Sequence, residues 1–148
     1  MKQNLIITTF LMLTFIAHSC SKKKEVQTDM KQIWDCNASQ NFDSTKLAGK
    51  LIGSWKLTRS WSESAGTINA SNNIKVTFDN SGAFAILEDS SLLSNGTWKL
   101  KIKDSNLYGL ELDQPSMYLY GRILLCDNQV MFNQSYIDGI DYLFTRTN

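Results

Sequence analysis

Polar and apolar residues alternate with a period of two along most of the chain after Gly53. In Trp98–Lys103, for example, three apolar residues occupy one set of alternate positions and three lysines occupy the other. Such alternation is typical of β-strands with one buried and one solvated face. The pattern predicts eight strands, at Gly53–Trp61, Ile74–Phe78, Phe84–Leu87, Trp98–Lys103, Leu107–Leu112, Tyr118–Leu125, Gln129–Asn133 and Asp141–Arg146.

Turn signals rich in Asn, Asp, Ser and Gly separate most of these strands. They stand at residues 79–82, 94–96, 104–106, 127–128 and 138–139. Only the connection at 61–74 is long, and it is composed mainly of small and polar residues. An antiparallel meander of eight strands exposes no edge when it closes, so we expect an all-β, eight-stranded up-and-down barrel. A two-sheet sandwich is the alternative.

One short helix is predicted before the first strand. The segment Asp43–Leu51 carries apolar residues at helical spacing, begins with residues that cap helices, and precedes a glycine. The folded domain is therefore expected to span residues 43–148. Residues 20–42 are mostly polar without a sustained period, which indicates a tether. Ile33 and Trp34 interrupt that polarity and are expected to dock onto the domain.

The first 19 residues have the layout of a secretory signal. Lys2 is the only charge before Lys22, and an apolar run of about a dozen residues lies between them. That run is too short for a transmembrane helix, which needs about 20 apolar residues. The stretch before Cys20 resembles the lipobox of bacterial lipoproteins, which implies that Cys20 is the acylated mature N-terminus. The alternative is a secreted protein with a free thiol.

Charge and histidine content exclude several classes of function. The chain has 15 Lys and Arg residues and 14 Asp and Glu residues, and removing the signal takes Lys2 alone. The resulting balance of 14 against 14 argues against a nucleic-acid partner, which requires a basic surface. Removal of the signal also takes His18, the only histidine. The mature protein would then lack His-based catalysis and His metal sites, so we expect no enzyme, cofactor or metal.

Two motifs at the start and the end of the predicted domain's sequence resemble those of lipocalins. Gly53-Ser54-Trp55 opens the first strand directly after the helix, and Arg146 ends the last strand. In lipocalins such a tryptophan packs under such an arginine, so the resemblance implies a Trp55–Arg146 pair that closes one end of the barrel. The whole pattern is similar to small lipocalin-like lipoproteins of the Bacteroidota. It implies a location in the outer membrane, on its periplasmic or its outer side.

Cys36 and Cys126 are the two cysteines outside the signal and anchor. In an exported protein they can form a disulfide that fastens the tether to the barrel and closes a loop of about 90 residues, worth roughly 4 kcal/mol. Two unpaired thiols are the equal alternative. As a pair they lack a third soft donor for a metal.

The aromatic residues leave two alternatives for the barrel interior. They either fill it, or leave an apolar pocket in which Trp98, Phe84 and Tyr120 are candidate ligand contacts. Arg122 is either an inward cation that needs an anionic partner or, as we expect, a solvated charge with Leu119 and Ile123 in the core.

The combination favours a monomeric, membrane-anchored binding module for a small hydrophobic or amphipathic ligand. The alternative is an accessory or inhibitor lipoprotein that binds another protein or a glycan through loops such as 62–73.

Overall fold

The computed structural model describes residues 30–147. Two short helices, α1 (Met30–Gln40) and α2 (Ser44–Leu51), precede the strands. None of the helices among these residues is long and apolar enough to cross a membrane. The strands are β1 (Gly53–Ser62), β2 (Gly66–Asn69), β3 (Ile74–Phe78), β4 (Ala83–Glu88), β5 (Ser91–Asp104), β6 (Leu107–Leu112), β7 (Arg122–Cys126), β8 (Gln129–Asn133) and β9 (Asp141–Thr147).

Eight of the strands form a nearly closed antiparallel barrel in up-and-down order, which confirms the predicted fold class. Along the sheet the order is β6-β5-β4-β3-β1-β9-β8-β7, so the first and last strands pair with each other. β2 lies off this path and pairs only with β1. It occupies part of the connection predicted to be an irregular loop, and most of its side chains are exposed.

The barrel remains open in one place, between β6 and β7. These two strands are the ends of the hydrogen-bonded order, although they lie next to each other in the fold. We call this gap the seam. The start of β1 and the end of β9 define the closed end of the barrel, because α2 ends there, and the opposite end is the mouth.

The barrel interior is filled by large apolar side chains. Trp55, Phe78, Phe132 and Phe144 are almost completely buried in one continuous core. Two buried leucines of α2 join that core from the closed end. Asp43 caps α2 as expected, since its side chain accepts a hydrogen bond from the backbone N–H of Lys46 at 2.8 Å.

The prediction of a single helix was wrong, because residues assigned to the tether form α1. Ile33 is buried against the outer barrel face, where it contacts Leu124, Met131 and Leu143. Ile33 and its neighbour Trp34 are too few apolar residues to show a helical period, so the sequence did not predict this helix. The outward apolar side chains of β7, β8 and β9 cover one side of α1. The helix is therefore stabilised by tertiary contacts with the barrel.

Two strand boundaries also differ from prediction. Residues 94–96, expected to be a turn, lie inside β5 and pair with β4. The turn falls instead at Asp89 and Ser90, which both have positive φ. The segment before β7 is not extended, because Ser116 caps a 3-10 turn at Met117–Leu119 by accepting from the Tyr118 N–H at 3.2 Å.

Candidate functional site

Trp55 and Arg146 meet at the closed end. They are paired in register across β1 and β9, and the guanidinium carbon lies 4.3 Å from the centre of the wholly buried indole. The indole N–H donates to the Leu51 carbonyl at 2.7 Å. Arg146 donates from Nη1 to the Ile52 carbonyl at 2.9 Å and from Nη2 to the Lys50 carbonyl. The pair therefore joins the end of α2 to the barrel.

Gly53 makes this arrangement possible. Its φ of +131° is a conformation that other residues rarely adopt, and a Cβ there would lie 2.5 Å from Nη1 of Arg146. The glycine of the Gly-x-Trp motif thus gives the guanidinium room to reach the end of α2. This role of Gly53 is structural.

Two of the predicted ligand contacts are core residues. Phe84 and Trp98 are almost fully buried, and neither lines one of the cavities described below. Trp98 packs edge-on against Phe78 with ring centres 5.4 Å apart, and its N–H donates to the Ala83 carbonyl at 3.1 Å. The structure therefore has the filled interior, and a ligand would reach these rings only by displacing core side chains.

Cys36 and Cys126 are joined by a disulfide with a Cα–Cα distance of 5.6 Å. The bridge fastens α1 to the end of β7. Beside it, Oδ1 of Asn37 accepts from the backbone N–H of Leu125 at 2.9 Å, so α1 also satisfies a donor on β7. Among residues 30–147, Asp127 is the carboxylate that joins these sulfurs in a possible metal cluster. Bridged sulfurs are not thiolates, so this cluster is a poor metal site.

A groove of about 530 Å³ runs along the mouth side of the seam. Its floor is the free edge of β6, and its far wall is the connection from Pro115 to Tyr120, which joins β6 to β7. The lining is partly apolar and partly charged, and consists of Lys101, Lys103, Leu110, Glu111, Leu112, Pro115, Ser116, Met117, Leu119, Tyr120 and Gln134. Tyr120 is the predicted ligand contact that lies in this groove.

Glycine allows the seam to narrow at one point. A Cβ on Gly109 of β6 would lie 2.5 Å from the Gly121 carbonyl oxygen and 2.6 Å from Cγ of Lys103. Because Gly109 has no side chain, Lys103 crosses over it and places its ammonium 4.7 Å from the centre of the Tyr120 ring. Hydrophobic periodicity gives no sign of such a crossing. The sequence therefore did not predict Lys101 and Lys103 as groove residues.

A smaller cavity of about 250 Å³ lies on the other side of this narrow point. It is roofed by α1 and by the start of α2, and its walls include Trp34, Leu47, Tyr108 and Ile123. The two helices and the disulfide therefore cover the part of the seam near the closed end, and the groove is the part that they leave uncovered.

Arg122 lies outside the barrel core but is not solvated. Its side chain is 18% exposed, pairs with Asp104 at 2.5 Å and stacks 3.8 Å from the centre of the Tyr136 ring. Leu119 and Ile123 are buried in the core, as expected. The outward direction of Arg122 is as expected, but the side chain is not fully solvated, because neighbouring elements supply a carboxylate and an aromatic ring.

The mouth holds a pair of tyrosines. The rings of Tyr118 and Tyr142 meet edge-on at 5.1 Å, and the hydroxyl of Tyr142 points to the sulfur of Met117 at 3.9 Å. Burial raises the pKa of Tyr118, and the negative charge of Glu88 adds to the rise. Burial raises the pKa of Tyr142 as well, with a smaller contribution from Tyr118.

Asp141 is a structural carboxylate. It is 1% exposed and accepts hydrogen bonds from the side-chain amide of Asn133 and from the backbone N–H groups of Gln134 and Ser135. These contacts hold the connection between β8 and β9 in place. Three of these bonds go to Oδ1 and one to Oδ2, so Asp141 acts as a structural acceptor.

Cys20 and the signal at residues 1–19 lie outside the described residues. Comparison of the chain with protein-family models, with curated proteins and with solved structures found no match in any of the three.

Proposed function

We propose that this protein is a membrane-anchored, lipocalin-like binding module for a small hydrophobic or amphipathic ligand. The observation that carries the proposal is the groove beside β6. Its volume of about 530 Å³ falls in the range of roughly 300–1,000 Å³ that is usual for small-molecule sites. The barrel interior is filled by core side chains, so we place the proposed site at the seam.

Two properties of the groove favour binding. Its apolar wall includes Met117, which is 66% exposed and whose flexible thioether adapts to different ligand shapes. Its lining also carries Lys101, Lys103 and Glu111, together with Tyr120, which is about half-exposed. An apolar surface beside a polar surface is complementary to an amphipathic molecule.

The anchor is proposed from the sequence before Cys20. An acylated Cys20 followed by a tether would hold the barrel at the outer membrane, because each buried methylene of an acyl chain contributes about 0.8 kcal/mol. The full-length protein should incorporate labelled fatty acid and fractionate with membranes, and Cys20→Ser should do neither. Identical fractionation of the two proteins would contradict the lipoprotein assignment.

Binding is tested with the unacylated mature chain, residues 20–148 with Cys20→Ser, and the neutral fluorophore N-phenyl-1-naphthylamine. We expect saturable binding with one site per chain. Met117→Trp should fill the groove and weaken binding at least ten-fold. Leu92→Trp is the matched control, because Leu92 is equally exposed but lies outside the groove. Absence of saturable binding would overturn the proposal.

A second candidate function is docking of a protein partner at the mouth. Several apolar side chains are about half or more exposed on the elements of that end, namely Ile68, Leu92, Leu93, Ile137 and Ile140. Exposed apolar groups of this kind mark interaction sites when they are contiguous. Loss of co-purifying protein in Leu92→Lys, with fluorophore binding unchanged, would favour this function over ligand binding.

A further inference from the structure

We infer that the groove selects amphiphiles with a single negative charge, of which medium-chain fatty acids are the matching class. This inference rests on the proposed ligand-binding function and adds the headgroup chemistry. It starts from the register of β5 and β6. Lys99 stands directly opposite Glu111, whereas Lys101 stands opposite Gly109. Lys101 therefore has no side chain directly opposite it, and Glu111 is its diagonal neighbour on β6.

Lys103 is held in the same groove by a contact with the Tyr120 ring. It crosses Gly109 and lies over the Tyr120 ring. In the part of the chain that the structure describes, the ion pairs involve other residues, so neither Lys101 nor Lys103 has an acidic partner within 4.0 Å. Two ammonium groups that form no ion pair, at the edge of a groove with a net positive lining, favour an anion there.

The charge balance of the groove favours a monoanion. Its lining carries two lysines and one glutamate, a formal balance of +1. A carboxylate brings a charge of −1, whereas a phosphate monoester carries about −1.5 to −2 at neutral pH. The carboxylate neutralises the site without excess, so we commit to a fatty acid and treat a phosphate headgroup as an outcome of the test.

The apolar wall fits the hydrocarbon part of such a molecule. Leu110 and Leu119 are buried at its base, Leu112 is half-buried, and Met117 is exposed at the rim. All four lie on the same groove as the lysines. A carboxylate at Lys101 would therefore extend its chain along β6 beneath the connection from Pro115 to Tyr120.

The test measures displacement of the bound fluorophore from the unacylated mature chain at low ionic strength. Dodecanoate should bind at least ten-fold more tightly than dodecanol, which has the same chain and no charge, and more tightly than dodecyl phosphate. Lys101→Gln should weaken dodecanoate about ten-fold and weaken dodecanol much less. Lys75→Gln, an exposed lysine on β3 outside the groove, is the matched control and should change neither.

The outcomes separate the two proposals. If dodecanol and dodecanoate bind equally, or if Lys101→Gln and Lys75→Gln behave alike, the groove binds amphiphiles without selecting charge and this inference is wrong. If dodecyl phosphate binds most tightly, the choice of a monoanion is wrong. If neither the fluorophore nor any of these amphiphiles binds, the proposed function itself fails.

Discussion

The closed end and the seam protect the barrel backbone in opposite ways. At the closed end β1 pairs with β9 in register over residues 54–57, and Trp55 is buried beneath Arg146 with its indole N–H satisfied. At the seam β6 and β7 form no ladder, and two glycines mark the point of closest approach. There the backbone is covered by α1, by the disulfide and by an irregular connection.

This difference indicates which part of the molecule determines stability and which part is available for binding. A paired and packed barrel end leaves no volume for a ligand, and it contributes buried apolar area and satisfied hydrogen bonds. An unpaired edge is a structural liability unless it is covered. Partial covering of the seam leaves a groove with charged groups beside apolar groups. Stability should therefore depend most on the closed end, and binding on the seam.

The largest effect should follow from Trp55→Ala. Truncation of a fully buried tryptophan costs about 3–5 kcal/mol. That is a large part of the roughly 5–15 kcal/mol available to a domain of this size. Trp61→Ala, at the mouth end of the same strand and only partly buried, should cost about 1 kcal/mol. Chemical denaturation measures both, and equal costs would contradict the assignment of stability to the closed end.

The second effect concerns the cover of the seam. Replacing both Cys36 and Cys126 by Ser removes a bridge between residues 90 positions apart. The expected loss is about 2–4 kcal/mol, because the unfolded chain regains the freedom of that loop. Hydrogen exchange should accelerate in α1 and change little near Trp55. An unchanged denaturation midpoint together with unchanged exchange in α1 would show that the helix is held without the bridge.

A smaller loss is expected for Arg146→Ala. Two hydrogen bonds to carbonyls and one stacking contact are removed, which together contribute about 1–2 kcal/mol. The double variant with Trp55→Ala should be less costly than the sum by at least about 0.5 kcal/mol, because the two side chains touch. Arg146→Lys should restore only part of the loss, since an ammonium lacks the planar fork. Strict additivity would contradict the contact.

The smallest expected effect is a loss of stability at alkaline pH, caused by ionisation of the two tyrosines at the mouth. Burial raises the pKa of Tyr118 and Tyr142 in the folded state. A raised folded-state pKa means that their contribution is fully present below about pH 10, the unfolded value, and is lost as the pH rises through the folded value. Replacing both by Phe should flatten the decline in unfolding free energy above pH 10. An equally steep decline would contradict this origin.

Much of the fold could be predicted from the sequence because alternation reports directly which face of a strand is buried. The barrel strands all lie within predicted segments or overlap them. The pairing of Trp55 with Arg146 was predicted from the resemblance to lipocalins, and it fits a barrel in which the first and last strands pair. β2 escaped prediction because its side chains are exposed and carry no alternating burial.

The parts that could not be predicted depend on contacts between distant segments. α1 is held by Ile33 and by the disulfide, and their partners lie about 90 to 110 residues further along the chain. The groove arises where Lys103 crosses Gly109 and where Pro115–Tyr120 leaves the edge of β6 uncovered. Local sequence patterns do not indicate these contacts between distant segments. Candidate ligand contacts were therefore placed on core aromatics, with the exception of Tyr120.

The most direct test of this account is hydrogen exchange of the unacylated mature chain with and without saturating dodecanoate. The account predicts slower exchange in β6 and in residues 115–121 when ligand is bound. Exchange at the closed end, in residues 53–57 and in β9, should remain unchanged. Slower exchange confined to the closed end or to the core strands β3 and β4, with the seam unaffected, would contradict the claim that the ligand binds at the seam.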